Sequence, residues 1–285
     1  MRPAAHRFHF IPVLCLVALS LAATAATGAG EVDHSPYDAF LKAYTRGGLV
    51  NYSAIKKDKS GLEAYLRTLS DSSAVHYKTW SRDARMAFWI NAYNAVTIYA
   101  IVTNYPIEGG GFVSKKRFPQ NSIRQIKDVW DTEYVELAGR PITLNEIEHD
   151  ILRKEFADPR IHFALVCASG GCPLLSDDAY VAQSLDDMLE QDAIRFVNDG
   201  DKVRVNITRG RLYASEIFDW YAEDFTLEGE ETPEWLKGYK KKTRGFVSFI
   251  APRVDGQTRS AIEARSLKVT YLDYDWSLNE LVDED

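Results

Sequence analysis

The chain is short of sulfur. Its 285 residues include three cysteines and three methionines. Cys15 lies in an N-terminal stretch set apart below, so Cys167 and Cys172 serve the rest. Structural zinc clusters take about four ligands in tightly spaced pairs, and no second cysteine pair exists. No metal and no cofactor are expected. Histidine is scarce as well. His34, His76, His149 and His162 are the four beyond that stretch. Long apolar runs are missing: "IPVLCLVALSLAA" falls short of the ~20 residues a membrane span needs, and no later stretch is expected to cross a membrane. Repeats, low-complexity tracts and long linkers are absent too. Basic residues are outnumbered, 34 against 41 acidic, for a formal charge of -7. That balance argues against nucleic acid and anionic membrane surfaces as partners.

What is present begins with a leader. Arg2 and Arg7 precede the apolar run, and the small residues of "ATAATGAG" follow it, the three-part pattern of a secretory signal. Cys15 sits inside the run after Val13-Leu14, which is unsuited to a lipoprotein anchor. Residues 1–30 are read as a signal peptide and 31–285 as one domain, a length one domain accommodates. Loss of Arg2 and Arg7, with no acidic residue in the leader, takes the formal charge from -7 to -9. The expected location is periplasmic or secreted, an oxidising setting in which nearby cysteines pair.

Along the chain, "SRDARMAFWINAYNAVTIYAIVTNYP" is the strongest helix, capped by Ser81 and stopped before Pro106. It is apolar almost all round from Met86 to Val102, so it is expected to be buried on every side. Asn91 and Asn94 lie on one face within it, and a buried amide needs partners. "YVELAGRPITL" reads as a hairpin turning at Gly139-Arg140. In "TLNEIEHDILRKEF", Thr143 and Glu146 have capping-box spacing. "IHFALVCAS" reads as a buried strand, "SLDDMLEQDAIRFVNDG" as an amphipathic helix closed by Gly200, and "KVRVNITRGRLYAS" as a second hairpin. Ser215 starts "EIFDWYAEDF", Thr232-Pro233 starts another helix, and "SLKVTYLDYDWSLN" is a final strand. Helices and strands do not alternate regularly, which points to α+β: a buried central helix packed on a small, mainly antiparallel sheet.

The cysteines admit two readings. A Cys167–Cys172 disulfide would close a very short loop, with an entropic gain near the low end of the usual range. Alternatively, Cys167 is a thiolate nucleophile at the end of a strand, and the 168–171 turn aims backbone N–H groups at a developing oxyanion. The two exclude each other, because a paired sulfur cannot attack. For a base, His34 and His76 read as solvated bystanders. His149 lies opposite the stripe of Leu144, Ile147 and Ile151, near Glu146 and Arg153. Glu148 sits at the edge of that stripe. An exposed face and a cleft wall both fit this pattern. His162 falls on the other face of its strand from Cys167 and reads as structural, bonded near the Asp158-Arg160 turn. Ser169 lacks a G-x-S-x-G setting. "SKKRF" and "KGYKKKTR" read as solvated faces.

Taken together, "RMAFWINAYNAVTIYAIV", "ITLNEIEHDILR", "DPRIHFALVCASGGCPLL" and "YLDYDWSLN" resemble the bacterial, exported members of the domain of unknown function 547 family. The resemblance runs across nearly the whole mature chain. It implies shared positions at Asn91, Glu148, His149 and Cys167. Plant relatives commonly have Ser at the place of Cys172, which implies that the two sulfurs are not a universal pair. A remote papain- and transglutaminase-like likeness is analogy only, and the central helix lacks the cysteine that group places at its start.

The resulting expectation is cysteine-dependent acyl transfer, meaning hydrolysis or transfer at an amide or thioester of a small-molecule or peptide substrate. Cys167 attacks, His149 is the base, Glu146 or Glu148 orients it, and Asn91 supplies an amide. The alternative is a non-catalytic envelope protein that binds a peptide or glycan and carries a Cys167–Cys172 disulfide. No partner protein is identified by the sequence.

Overall fold

A 23-residue helix that is apolar almost all round from Met86 to Val102 has to be surrounded, and the rest of the chain is arranged to do so. The computed structural model describes residues 31–109, 116–227 and 231–282. The leader, parts of the 108–111 and 228–233 loops, and the start of "SKKRF" lie outside these residues.

In chain order the α-helices are α1 (Ser35–Tyr44), α2 (Tyr52–Lys57), α3 (Ser60–His76), α4 (Arg82–Asn104), α5 (Leu185–Val197), α6 (Ile217–Trp220), α7 (Lys241–Ile250) and α8 (Gly256–Ala264). A π-helix, Glu146–Phe156, lies between α4 and α5. The strands are β1 (Thr45–Arg46), β2 (Leu49–Val50), β3 (Val135–Leu137), β4 (Arg140–Ile142), β5 (Val203–Asn206), β6 (Arg211–Ser215) and β7 (Lys268–Leu272). The class is α+β, as expected.

Helix α4 begins where Ser81 accepts the Ala84 N–H at 3.1 Å. Phe88, Ile90, Ala95 and Ile101 are fully enclosed. Each large apolar side chain buried this way is worth roughly 1.5–3 kcal/mol. By length and composition α4 would also suit a membrane, but 89% of its most apolar window is covered by the protein itself. Hydropathy alone does not distinguish lipid from protein as the surrounding medium.

The main neighbours of α4 are helical: α2, α3, the π-helix and the turn at Ala182–Ser184. The small antiparallel hairpins β1–β2 and β3–β4 share its core through Val50, Leu137 and Ile142. Strands β5, β6 and β7 belong to a second core built on Phe163, Phe196, Phe218 and Phe246. This sheet is mixed. β5 and β6 pair antiparallel, whereas β7 returns parallel to β6, with Tyr213 opposite Thr270. The chain between them passes through α6, α7 and α8, the long crossover a parallel pair requires.

Both hairpins form, although the first turns on Ala138-Gly139, both left-handed at φ 51° and 79°. The "IHFALVCAS" strand does not form. Residues Pro159–Phe163 wind into a 3₁₀ turn, and Ala164 and Leu165 both donate to the Ile161 carbonyl. An amide side chain replaces the strand partner. Asn94 donates from Nδ2 to the Ala164 carbonyl at 2.9 Å and accepts the Val166 N–H at 2.9 Å. Asn91 clamps Tyr180 in the same way, donating to its carbonyl at 2.8 Å and accepting its N–H at 3.0 Å.

Asn94→Ala would leave the Ala164 carbonyl and the Val166 N–H buried and unpaired. The expected loss is about 2–4 kcal/mol of unfolding free energy in urea titrations. A loss under about 1 kcal/mol, the net worth of one ordinary hydrogen bond, would show that another contact holds the segment.

Candidate functional site

The π-helix carries "EHD" to the seam between the two cores. Its first turn is the expected capping box: Glu146 Oε2 accepts the Thr143 N–H at 2.9 Å, and Thr143 Oγ1 accepts the Glu146 N–H at 3.1 Å. Its last residue is followed by Ala157 in the left-handed conformation, which ends a helix. A π-helix bonds from i to i+5 and is frequent at functional sites. Here Glu148 and His149 both line one cleft of about 680 Å³, with Tyr93, His162, Cys167, Cys172, Trp220, Tyr221, Tyr274 and Trp276 among the other walls. A larger groove, about 880 Å³, runs beside Asp219, Lys241 and Arg244 and contains neither histidine nor cysteine.

Glu148 is buried and accepts the Tyr221 hydroxyl at 2.5 Å. Burial pushes the Tyr221 phenol above its ordinary range, and the Glu148 charge adds to this, so Tyr221 remains a donor. The buried Tyr93 hydroxyl also bonds Glu148.

Among the described residues no hydrogen bond joins His149 to a carboxylate. Its Nδ1 lies 3.2 Å from an Arg153 nitrogen. Arginine only donates, so Nδ1 accepts, and the proton of the neutral ring is on Nε2. In this arrangement the other face of the ring offers a donor rather than a base. Among the described residues no hydrogen bond joins His149 to Cys167. Glu146 is occupied by its cap and by Arg140 at 2.7 Å, so it does not orient the imidazole. Asn91 is occupied by Tyr180, so it offers no amide to the cleft.

His162 corrects a second expectation. It is buried and bonded through Nε2 to Asp224 at 2.6 Å, not to the Asp158 turn. Its ring stacks on Tyr221, centroids 3.9 Å apart. Asp224 takes two further bonds from Arg153, at 2.6 and 2.8 Å. His34 is not solvated either: it is buried against Tyr65, 2.7 Å from the hydroxyl, and burial lowers its pKa to about 4. His76 is exposed, as expected.

The two cysteines form a disulfide. The glycine amides between them are taken. Gly170 N–H donates to the Ser277 carbonyl and Gly171 N–H to the Asp275 carbonyl, both at 2.7 Å. Two of the four expected oxyanion donors of the 168–171 turn are thus spent on the C-terminal segment. Gly171 also has no room for a side chain, since a Cβ there would lie 2.7 Å from the Tyr274 ring. Tyr274 closes the turn. Its hydroxyl lies 3.1 Å from Cys172 Sγ, 3.3 Å from Cys167 Sγ and 3.1 Å from Ser169 Oγ. Among the described residues, no three His, Cys, Asp or Glu side chains gather as a metal site.

Residues 77–197 match the model of the family described as protein of unknown function, DUF547. This segment is similar to the DUF547 family over those residues. The DUF547 match takes in Asn91, Glu148, His149, His162 and both cysteines. It is narrower than the resemblance read across nearly the whole mature chain. Tyr221, Asp224, Tyr274 and Trp276 come from beyond the DUF547 segment, and sequence reasoning missed all four as site residues. Their only signal was aromatic and acidic composition, which says nothing of where a distant segment packs. No curated protein and no solved structure matches the chain.

Burial alone would raise the Asp224 carboxyl, but the bonds from His162 and Arg153 outweigh it and hold the group well below the ordinary carboxylate range. A carboxyl depressed in the folded state stabilises fully above the unfolded value, about 3.9. That contribution is lost as pH falls toward the folded value. Unfolding free energy measured between pH 7 and 2.5 should therefore fall more steeply below about pH 4 in the native protein than in Asp224→Asn. Parallel curves would refute the coupling.

Proposed function

We propose that the protein is an exported envelope protein whose cleft binds a peptide, with the Cys167–Cys172 disulfide in the cleft wall. The observation that carries this is an exposed aromatic at the cleft. Trp220 is 44% exposed, stacks on Trp276 at 5.9 Å and 24°, and contacts Tyr274 at 4.8 Å. Aromatic side chains of this kind, apolar in body and polar at one end, are favoured at binding surfaces. The walls carry both charges. The Arg124 guanidinium lies 5.2 Å over Trp276, and Glu148 and Asp131 line the same cleft. Mixed charge beside an aromatic shelf suits a peptide backbone and its side chains better than a neutral glycan.

The test is tryptophan fluorescence under titration with a short peptide containing one aromatic, one acidic and one basic residue, against a neutral chito-oligosaccharide. The peptide should quench, and Trp220→Ala should weaken binding about tenfold or more, as truncating a central aromatic anchor does. A response to the oligosaccharide alone would move the reading to a glycan. No response to either would sink it.

A second reading, thiol-dependent acyl transfer, is supported by one fact: Cys167, Glu148 and His149 line the same cleft. It applies to the reduced protein. Cys167 would attack an acyl carbon, and His149 would serve as base only after its Nε2 proton is relocated. Reduced protein should then hydrolyse a p-nitrophenyl ester, and Cys167→Ser should abolish this. An unchanged rate in the variant would remove the reading.

A further inference from the structure

We infer that the Cys167–Cys172 disulfide is an exchange-active redox centre that oxidises paired thiols of a bound peptide. The inference rests on the peptide reading only for the identity of the thiol; the exchange itself follows from the surroundings of the two sulfurs.

Those surroundings are unequal. Both line the cleft, but Cys167 is half-buried whereas Cys172 is 3% exposed. The two hydroxyls are shared between the sulfurs: Tyr274 lies 3.1 Å from Cys172 Sγ and 3.3 Å from Cys167 Sγ, and Ser169 lies 3.4 Å and 3.2 Å from them. The Cys167 N–H, at 2.9 Å, faces the buried Cys172 Sγ. Ser169 can instead donate to the Tyr274 oxygen, 3.1 Å away, leaving the Tyr274 hydrogen for the sulfur. A disulfide sulfur is a weak acceptor, so a structural staple gains little from such a set. A thiolate gains much more, because hydrogen bonds to an ionised partner are about twice as strong. Burial also keeps the Tyr274 phenol above its ordinary range, so it still donates when a neighbouring sulfur is charged. The arrangement therefore suits Cys172 as the leaving group and Cys167 as the sulfur attacked.

The chemistry balances in two steps. A substrate thiolate attacks Cys167 Sγ. A bond forms between the two sulfurs, the Cys167–Cys172 bond breaks, and its electron pair stays on Cys172 as thiolate. A second substrate thiolate then attacks the substrate sulfur of this mixed disulfide, and the electron pair returns to Cys167. The substrate dithiol has become a disulfide, the protein disulfide has become a dithiol, and the two substrate protons end on the cysteines. Return to the starting state takes a second disulfide, for which oxidised glutathione is the probe. Lower pKa of the leaving thiol speeds such exchange.

The test uses the mature oxidised chain in reduced glutathione at neutral pH without denaturant, followed by acid quenching, alkylation and peptide mass mapping. The disulfide should open while circular dichroism shows the protein folded. In oxidised glutathione, whose disulfide breaks to release one reduced glutathione, Cys172→Ser should collect glutathione on Cys167. Cys167→Ser should collect it on Cys172 about tenfold more slowly or less, because access decides which sulfur reacts. Tyr274→Phe, which keeps the ring and removes the hydroxyl, should slow reduction about tenfold, the effect of one hydrogen bond to a charged group. A disulfide that opens only when the protein unfolds would overturn the inference, as would preferential glutathione capture at Cys172. If glutathione exchanges but a dithiol peptide reacts no faster, the exchange stands and the peptide reading of the cleft fails.

Discussion

The structure depends on an amide in an apolar place. Asn94 sits in the middle of α4, among residues chosen for burial, and uses both ends of its side chain on the backbone of Ala164 and Val166. A buried amide without partners costs about 1–3 kcal/mol by mutational measures, so this position tolerates only an arrangement that satisfies it. The backbone of 164–166 has no strand neighbour and is satisfied by the same bonds. Helix and loop therefore specify each other. Asn91 repeats the device on Tyr180. The loop leads directly into Cys167, so the position of the sulfurs follows from that amide: helix, clamp, loop, disulfide.

From the disulfide the constraint passes to the C-terminus. Gly170 and Gly171 donate to Ser277 and Asp275, and Asn279 continues to Val50 and to the Tyr52 hydroxyl, 2.7 Å away. This lacing delivers Tyr274 and Trp276 to the cleft. On the opposite wall, Arg153 plays a similar organising part. It faces His149, Asp224 and Glu223 and lies 5.2 Å over the Tyr221 ring. Tyr221 in turn holds Glu148 and stacks on His162. One guanidinium, satisfied by two carboxylates, thus sets the positions of both histidines. Its rigid fork of donors makes this possible in a way a lysine would not.

The cleft that results is built across two cores, with Tyr274 packed against both. Its histidines are committed to structural partners, its glycine amides to carbonyls, and its cysteines to each other. What it leaves facing outward is aromatic surface, charge of both signs and one accessible sulfur. The acyl-transfer constellation drawn from residue types is not assembled: among the described residues no hydrogen bond joins His149 to Cys167, and Glu146 and Asn91 are held by Arg140 and Tyr180.

The central helix, its cap at Ser81, the capping box at Thr143 and Glu146, both hairpins and the need for partners at Asn91 and Asn94 were legible from the chain alone. These depend on local spacing, on turn chemistry and on the rule that buried polar groups are paired. The local pattern misled where a neighbour decided the outcome. "IHFALVCAS" has the composition of a buried strand, but its backbone found a side chain rather than another strand. His149 has Glu146 one turn away, yet the π-helical turn and Arg153 gave it a different partner. His162 met Asp224 from 62 residues further on. The choice between paired and free cysteines could not be read from spacing, since both states suit a short glycine turn. Tertiary structure decided it, because the carbonyls of Asp275 and Ser277 close that turn and the Tyr274 ring occupies the space beside Gly171. Such contacts join segments about a hundred residues apart, and no sequence period encodes them.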